Sequence, residues 1–404
     1  MNLSRYIASR LAGARSDSFT ASVTKIAKFS VGLGIAIMIV SFAILEGFRY
    51  EIQNKIFSFG GHLQVSKFDT NNSFEGYPMS TSTGLEDYTK IPGVSHLQPF
   101  ARKTAIIKTD EEVLGVVLKG VDSTYDFRGM RANLVSGSVM EFNDSAASEQ
   151  IMMSQLMADK LRLKVGDGVL FYFIQNPPRM RKFEVKGIFK TGLEEFDNVY
   201  VLGDLKQIRE LNQWPDSLVG GYEILLNDFT QIDTVANQVF EKMNYDLQLE
   251  KITDTYAQLF DWLELLKRNV IIFLVLIIFV ATFNMVSTLF IMILERTNMI
   301  GALKAMGATN AQIRKIFLHR GLRLTIVGLI GGNVLAFVFC AAQDYFHLIP
   351  LDPENYYMET VPIYWSWKIW LGINVVTFVL TMLSVLLPSL LISRIHPVKA
   401  IKFD

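Results

Sequence analysis

Residues 270–294 read VIIFLVLIIFVATFNMVSTLFIMIL, without one Asp, Glu, Lys or Arg. As a helix rising 1.5 Å per residue, such a run reaches about 37 Å, more than the roughly 30 Å of hydrocarbon in a bilayer. Three further apolar runs, at 29–47, 322–343 and 367–392, have comparable length. The first exceeds the 7–15 apolar residues of a signal peptide, and ILEGFRY after it offers no small-x-small cleavage site, so it is read as a retained span. Between the first and second runs lies a polar block, 48–269, of soluble-domain size. The expected fold class is a membrane protein of four transmembrane α-helices, with a large α+β extracytoplasmic domain between spans 1 and 2.

Charge placement supplies an orientation. The whole chain is balanced, 39 Lys+Arg against 39 Asp+Glu, which gives no basic field for nucleic acid. Locally it is not balanced. Residues 1–28 hold Arg5, Arg10, Arg15, Lys25 and Lys28 against Asp17, with Leu3, Ile7 and Leu11 at the spacing of a basic amphipathic surface helix. Residues 295–321 hold Arg296, Lys304, Arg314, Lys315 and Arg320, and the tail 393–404 holds Arg394, Lys399 and Lys402. The positive-inside rule places all three in the cytoplasm, and with them both termini. The loop 344–366 is acidic (Asp344, Asp352, Glu354, Glu359), and Tyr356, Tyr357, Tyr364, Trp365 and Trp367 near it suggest an interfacial aromatic belt.

Within 48–269, alternating stretches such as HLQVSKF and RKFEVKGIF read as half-buried strands, separated by the turn clusters NNSFEGYP, VGDG and QNPPRM. Helices are expected at 154–161 and 229–243. Residues 133–221 read as a strand-rich inserted subdomain. From 254 to 269, Tyr256, Leu259, Phe260, Leu263 and Leu266 fall on one helical face, and the pattern runs without Gly or Pro into 270–294. A continuous helix of about 40 residues would be about 60 Å long, so half of it would stand outside the bilayer as a stalk. Residues 46–55 suggest the same after the first span, with Leu45, Phe48 and Ile52 on one side.

Familiar catalytic chemistry is missing. His62, His96, His319, His347 and His396 show no metal-ligand spacing, and G-x-S-x-G, H-E-x-x-H and G-x-x-x-x-G-K-[ST] are absent. Glu111–Glu112 and Glu194–Glu195 read as solvated turns rather than acid/base pairs. Cys340 is the single cysteine, which excludes an intramolecular disulfide. No Asp or Glu interrupts 29–45, 270–294, 322–343 or 367–392, so no proton or sodium relay is visible. Gly32, Gly34, Gly321, Gly328, Gly331 and Gly332 suit close helix packing, as do Thr282, Ser287 and Thr288. Asn284, mid-span, needs a hydrogen-bond partner.

The polar interruption between the second and third spans is the most specific stretch. ERTNMIGALKAMGATNAQI, from 295, resembles the E-R-x-x-x-I-G-x-L-K-A-x-G-A signature of permeases in the MacB, LolC/LolE and FtsX superfamily of ABC transporters. GGHLQV, LRLKVGD, FEVKGIFKTG and the closing SRIHPVKAIK look like its lipoprotein-releasing branch. The resemblance implies a porter-like part in the outer domain and a cytoplasmic coupling helix at 299–306, seated in a groove of a separate ABC ATPase dimer. ATP and Mg would bind that ATPase, with no cofactor, metal or catalytic residue on this chain. Glu295, Arg296, Met299, Ile300, Gly301, Leu303, Lys304, Ala305 and Gly307 are the expected coupling residues. Ile300 and Leu303 would plug an apolar groove of the partner, Gly301 and Gly307 would allow close approach and a turn, and Lys304 would face the partner or the headgroups. Thr297, Asn298 and Met299 stand where the family usually carries a further charge.

The same resemblance implies a second permease, itself or a paralogue, and lipoprotein cargo in the bacterial inner membrane. A cargo cavity lined by Phe42, Phe48, Ile52, Leu259 and Leu263 is expected. So is a hairpin, FYFIQNPPRMRKFEV, that binds a periplasmic lipoprotein carrier through Pro177, Pro178, Arg179, Met180 and Arg181 at its tip. It is shorter than the family's recruiting hairpin. The competing functions are FtsX-like transmembrane signalling to a cell-wall hydrolase and MacB-like efflux of peptides or small molecules.

Overall fold

A computed structural model describes residues 18–70, 73–81, 88–109, 112–143 and 146–390. Residues 1–17 of the expected surface helix, Glu111, and the tail with Arg394, Lys399 and Lys402 lie outside the described residues. The chain divides into two units, Met1–Arg49 with Leu263–Pro350 and Thr360–Asp404, and Tyr50–Trp262 with Leu351–Glu359.

The first unit holds the apolar runs as helices: α1 (Ser18–Gly60), α2 (Ala257–Glu295), α4 (Asn310–Phe346) and α5 (Trp367–Leu390), with the short α3 (Thr297–Ala305) between α2 and α4. All four long helices are long and apolar enough to cross a membrane. Two boundaries differ from expectation. Residues 310–321, expected in the coupling segment, are already α4, because Thr309 starts that helix with a capping box closed by Gln312. The expected stalk is broken at its start: a turn of helix, Ile252–Thr255, ends at Tyr256, and α2 begins at Ala257.

Enclosure is unequal. The apolar window of α1 is 56% buried and that of α2 only 17%, so α1 is central and α2 presents most of its surface outward. Ile35, Ile39, Met285, Leu289, Leu324 and Val385 form the apolar core of this unit. Water gives no drive between helices in lipid, so close packing and polar pairs hold them. A Cβ on Gly328 would lie 2.8 Å from Val31, and one on Gly332 would collide with the Gly32 carbonyl, so α1 and α4 cross backbone to backbone. Asn284 finds its partner on α1, donating to the Ser30 hydroxyl at 2.7 Å. Asn333 and Asn374 exchange amide hydrogen bonds at 2.6 and 3.0 Å, joining α4 to α5.

The second unit is built on strands β1 (Leu63–Lys67), β2 (Met79–Ser80), β3 (Val94–Lys108), β4 (Val113–Val121), β5 (Leu134–Gly137), β6 (Gln150–Ser154), β7 (Gly168–Phe173), β8 (Arg179–Phe189), β9 (Tyr200–Asp204), β10 (Leu218–Val219), β11 (Gly221–Leu226) and β12 (Leu247–Lys251). Ten of them form one sheet in the order β12-β1-β11-β3-β4-β9-β6-β8-β5, with β7 pairing β3 and β8, while β2 pairs β10. Period-2 burial drives it. In β8, Phe183 and Val185 are buried, whereas Lys182 and Glu184 are not. Residues 133–221, the expected strand-rich piece, supply β5 to β10, and the β4–β9 and β3–β7 pairs join them to the flanking strands in one sheet. Ser154 and Asp204 cap the helices Gln155–Leu161 and Leu205–Asn212. The latter lies directly on β4, where a Cβ on Gly120 would sit 2.8 Å from Leu205 and Ile208.

Candidate functional site

Helix α3 carries no side-chain N-cap; it starts at Arg296 and stops where Gly307 takes φ +93°, in the left-handed region that suits glycine. Its periodicity is amphipathic over little more than two turns. Ile300 is fully buried among Ile293 of α2 and Ile313 and Phe317 of α4, with Leu303 and Ala308 packed alongside. Asn298, Ala302, Ala305 and Met306 are exposed, at the i, i+4, i+7, i+8 spacing of one helical face. Ile300 and Leu303 therefore do not face outward to plug a partner's groove, as expected from sequence; they are the apolar side by which α3 holds its own bundle. Gly301 is buried, Arg296, Met299 and Lys304 are half-buried, and Glu295, Ala305 and Gly307 are exposed. The outward face is small and uncharged apart from the long Met306, 76% exposed.

A second constellation, absent from the sequence reading, sits at the C-terminal end of α1. The last carbonyls of a helix lack helical donors. Here Lys119 of β4 donates to the Phe59 carbonyl, the Tyr125 hydroxyl to that of Ser58 at 2.8 Å, and Gln64 Nε2 to that of Gly60 at 3.1 Å. A cation at this end also meets the negative pole of the helix dipole. Lys119 pairs with Glu223 of β11 at 2.6 Å, and Glu223 accepts from Gln98 Nε2 at 2.9 Å. Burial lowers the Lys119 pKa, with the Glu223 charge opposing the shift, and burial beside Glu223 and Asp126 pushes the Tyr125 hydroxyl up. The group ties the end of α1 into the sheet. One signal was available: Lys119 interrupts VLGVVLKGV, where a charge on a buried strand demands a partner.

The loop 344–366 is more than an aromatic belt. Lys55 donates to the Tyr357 carbonyl at 2.6 Å, Lys190 pairs with Glu359 at 2.7 Å, and Trp262 meets Tyr357 edge-on with ring centres 6.3 Å apart. Thus Leu351–Glu359 packs within the second unit. Beside it a groove of about 420 Å³ is lined by Gln155, Asp159, Lys160, Lys190, Glu194 and Pro353 among others, with mixed charge and no phosphate- or metal-binding pattern.

The β7–β8 hairpin is shorter at its tip than expected. Arg179, Met180 and Arg181 are paired with Phe173, Tyr172 and Phe171 in the ladder, so only 174–178, with Pro177 and Pro178, form the turn. Arg179 donates to the carbonyls of Glu210 and Leu211 at 3.0 and 3.2 Å, and Gln175 to that of Leu211 at 3.3 Å. The hairpin is clasped to the C-terminus of helix Leu205–Asn212 rather than standing free, while Ile174 and Met180 stay 71% and 58% exposed. Of the expected cavity residues, Ile52, Leu259 and Leu263 are buried by the chain itself, and Phe42 and Phe48 are half-buried. Large exposed apolar side chains lie along α2, among them Phe273, Leu276, Phe279, Val280 and Phe283, and also along α4 and α5, as at Ile330, Phe337 and Leu387.

Among the described residues no group of His, Cys, Asp and Glu is placed to hold a metal. His62 is buried, accepts from the Leu226 N–H at Nδ1 over 3.0 Å, and has its pKa lowered by burial to about 4. It is a structural acceptor.

Comparison with known proteins follows these elements. Residues 26–241 match the family described as MacB-like periplasmic core domain, and residues 271–397 the FtsX-like permease C-terminal. The lipoprotein-releasing system transmembrane protein LolC of Haemophilus influenzae is 25% identical over 427 residues, covering 100% of this chain and 99% of its own. LolE of the same organism is 22% identical, covering 96% of each. Among solved structures, the periplasmic region of MacB from Actinobacillus actinomycetemcomitans aligns with 51% of this chain and 95% of its own at 12% identity, with a TM-score of 0.36. With one family match covering more than half of its residues, and four membrane-length helices around a strand-rich domain, the chain belongs to the MacB, LolC/LolE and FtsX superfamily of ABC transporter permeases.

Proposed function

We propose that this chain is the permease subunit of an ATP-driven complex that extracts lipoproteins from the bacterial inner membrane and passes them to a periplasmic carrier by mechanical transmission. The observation that carries the reading is α3, fastened to α2 and α4 through Ile300 and bare on the face of Asn298, Ala302, Ala305 and Met306. A helix held on one side and smooth on the other suits a groove of a separate ATPase dimer, which would bind ATP and Mg and do the hydrolysis; this chain would be non-catalytic. The basic segments support an orientation with α3 and both termini in the cytoplasm and the domain in the periplasm. LolC and LolE relatives, named as parts of a lipoprotein-releasing system, support the cargo class.

The energetic problem is specific. Each acyl CH₂ drawn into water costs about 0.8 kcal/mol, so a shielded apolar route is needed. Here the largely uncovered α2 supplies apolar surface for a cavity shared with a second permease, itself or a paralogue. Helices α1 and α2 each contribute residues to both units, a path by which movement at α3 reaches the domain. Ile174 and Met180 on the hairpin are the proposed carrier contact, with Pro177 and Pro178 shaping its turn.

The test is reconstitution with the cognate ATPase and carrier in proteoliposomes, with release of a lipoprotein and ATP hydrolysis measured together. Ala302→Trp should abolish release and weaken ATPase association. Normal release in that variant would remove α3 from the mechanism. ATP-dependent change in the domain with no cargo release from the wild type would favour signalling to a cell-wall hydrolase instead.

A further inference from the structure

Helices α4 and α5 enclose an apolar groove of about 400 Å³, lined by Leu318, His319 and Leu322 of α4 and by Phe378, Met382 and Leu386 of α5, with two further apolar residues of α5. Among the described residues that line it, His319 is the one polar side chain. The groove lies where α4 changes character: Arg314, Lys315, His319 and Arg320 precede Leu322, and beyond Arg323 the helix is apolar to Cys340 apart from Thr325 and Asn333. Such a border is the level at which hydrocarbon gives way to headgroups.

The rim of this groove is cationic. Lys315, His319 and Arg323 recur at i, i+4 and i+8, hence on one face of α4, with Lys315 and Arg323 exposed. The His319 ring is held in place by Nδ1 donating to the Lys315 carbonyl at 2.6 Å. Arg320 adds positive charge, with Arg296, Glu295 and Arg323 as its charged neighbours. Neither α4 before Asp344 nor the described part of α5 contains a carboxylate, and among the described residues Glu295 is the one acid named beside Arg320, against Arg296 and Arg323. Any lipid tail would fill an apolar furrow. A net positive rim at its mouth selects among headgroups.

We propose that this groove is a binding site for one anionic membrane phospholipid. Its acyl chain lies along the Leu, Phe and Met walls, and its phosphate-bearing head sits against Lys315, His319 and Arg323. The residues next to the rim on α4, Ile313 and Phe317, belong to the core that seats Ile300. A lipid head held there is within a turn of the segment on which α3 rests, so lipid composition would reach the same element. The site stands on its own geometry, whatever cargo the chain moves.

The experiment is native mass spectrometry of the full chain released from nanodiscs made with equal phosphatidylglycerol and phosphatidylcholine. The wild type should retain one phosphatidylglycerol in preference to phosphatidylcholine. Arg323→Gln or Lys315→Gln should each lower that preference about fivefold. Lys368→Gln, a cation at the other end of α5, should leave it unchanged, and Arg323→Lys should keep it. Leu386→Trp, which fills the groove, should lose the retained lipid of either kind. Equal retention of the two lipids by the wild type, or a preference unaltered in the Arg323 and Lys315 variants, would reduce the groove to ordinary annular contact and overturn the proposal.

Discussion

Lys119 and Glu223, 104 residues apart in sequence, face each other at 2.6 Å with side chains 1% and 0% exposed, and the same ammonium closes the end of α1 at the Phe59 carbonyl. Breaking such a pair from one side strands the other charge, at a cost of about 3–5 kcal/mol. Lys119→Met should therefore lower the denaturation midpoint of the detergent-solubilised chain sharply. Lys119→Met combined with Glu223→Met should recover part of the loss, because no lone carboxylate remains. A double variant as unstable as the single would show that the tie to α1 matters more than the charge pairing.

The two faces of α3 should separate in mutants. Ile300→Ala removes a fully buried side chain and should cost about 2–5 kcal/mol. Ala302→Trp lies on the exposed face and should leave thermal stability within about 0.5 kcal/mol while lowering co-purification of the ATPase. The two measurements, melting and pull-down, move in opposite variants if the faces are assigned correctly.

Neighbouring glycines of α4 give an internal control. Gly332→Ala drives a methyl into the Gly32 backbone of α1 and should destabilise the helical unit by about 1–3 kcal/mol. Gly331→Ala meets nothing within 4 Å and should be neutral or slightly stabilising. Thermal unfolding of the two variants in one detergent, side by side, decides it. Equal melting temperatures would mean that α1 and α4 do not touch at this point.

His62 predicts an acid sensitivity of defined sign. Its folded pKa, about 4, lies below the unfolded value of 6.5, so the unfolded state binds the extra proton first. Stability should be full above pH 6.5 and fall between about 6.5 and 4, by about 3 kcal/mol from this group. His62→Asn, which keeps an acceptor for the Leu226 N–H but does not titrate, should lose less stability over that interval. Denaturation midpoints at pH 7 and pH 4.5 for both proteins provide the check.

Much of the architecture was legible in the residues. Run length and the absence of charge identify spans without reference to any other part of the chain, whereas the start of α4, which hydropathy places near 322, is set twelve residues earlier by the capping box of Thr309 and Gln312. Period-2 alternation located β1 and β8, and Ser154 announced its helix. Asn284 was singled out because a mid-span amide must be paired, and Ser30 is that partner. By contrast, Asn333 and Asn374 pass as ordinary span polarity until α4 and α5 are side by side.

What the sequence determined by itself is whatever depends on neighbours along the chain: four membrane-length helices, a strand-rich block between the first two, and a glycine-ended polar segment after the second. Only the tertiary structure decided which side of each element is inside. Ile300 looked as fit to enter a partner's groove as its own core, since periodicity defines an apolar face but not what covers it; Ile293, Ile313 and Phe317 settle that. Residues 133–221 read as strand-rich from their own alternation, but only pairing between strands far apart in sequence, β4 with β9 and β3 with β7, shows that they share one sheet with the flanking segments. Arg179 to Arg181 looked like a tip until ladder pairing made them strand. Lys119 found its counter-charge the same way, through burial shared by segments far apart in sequence.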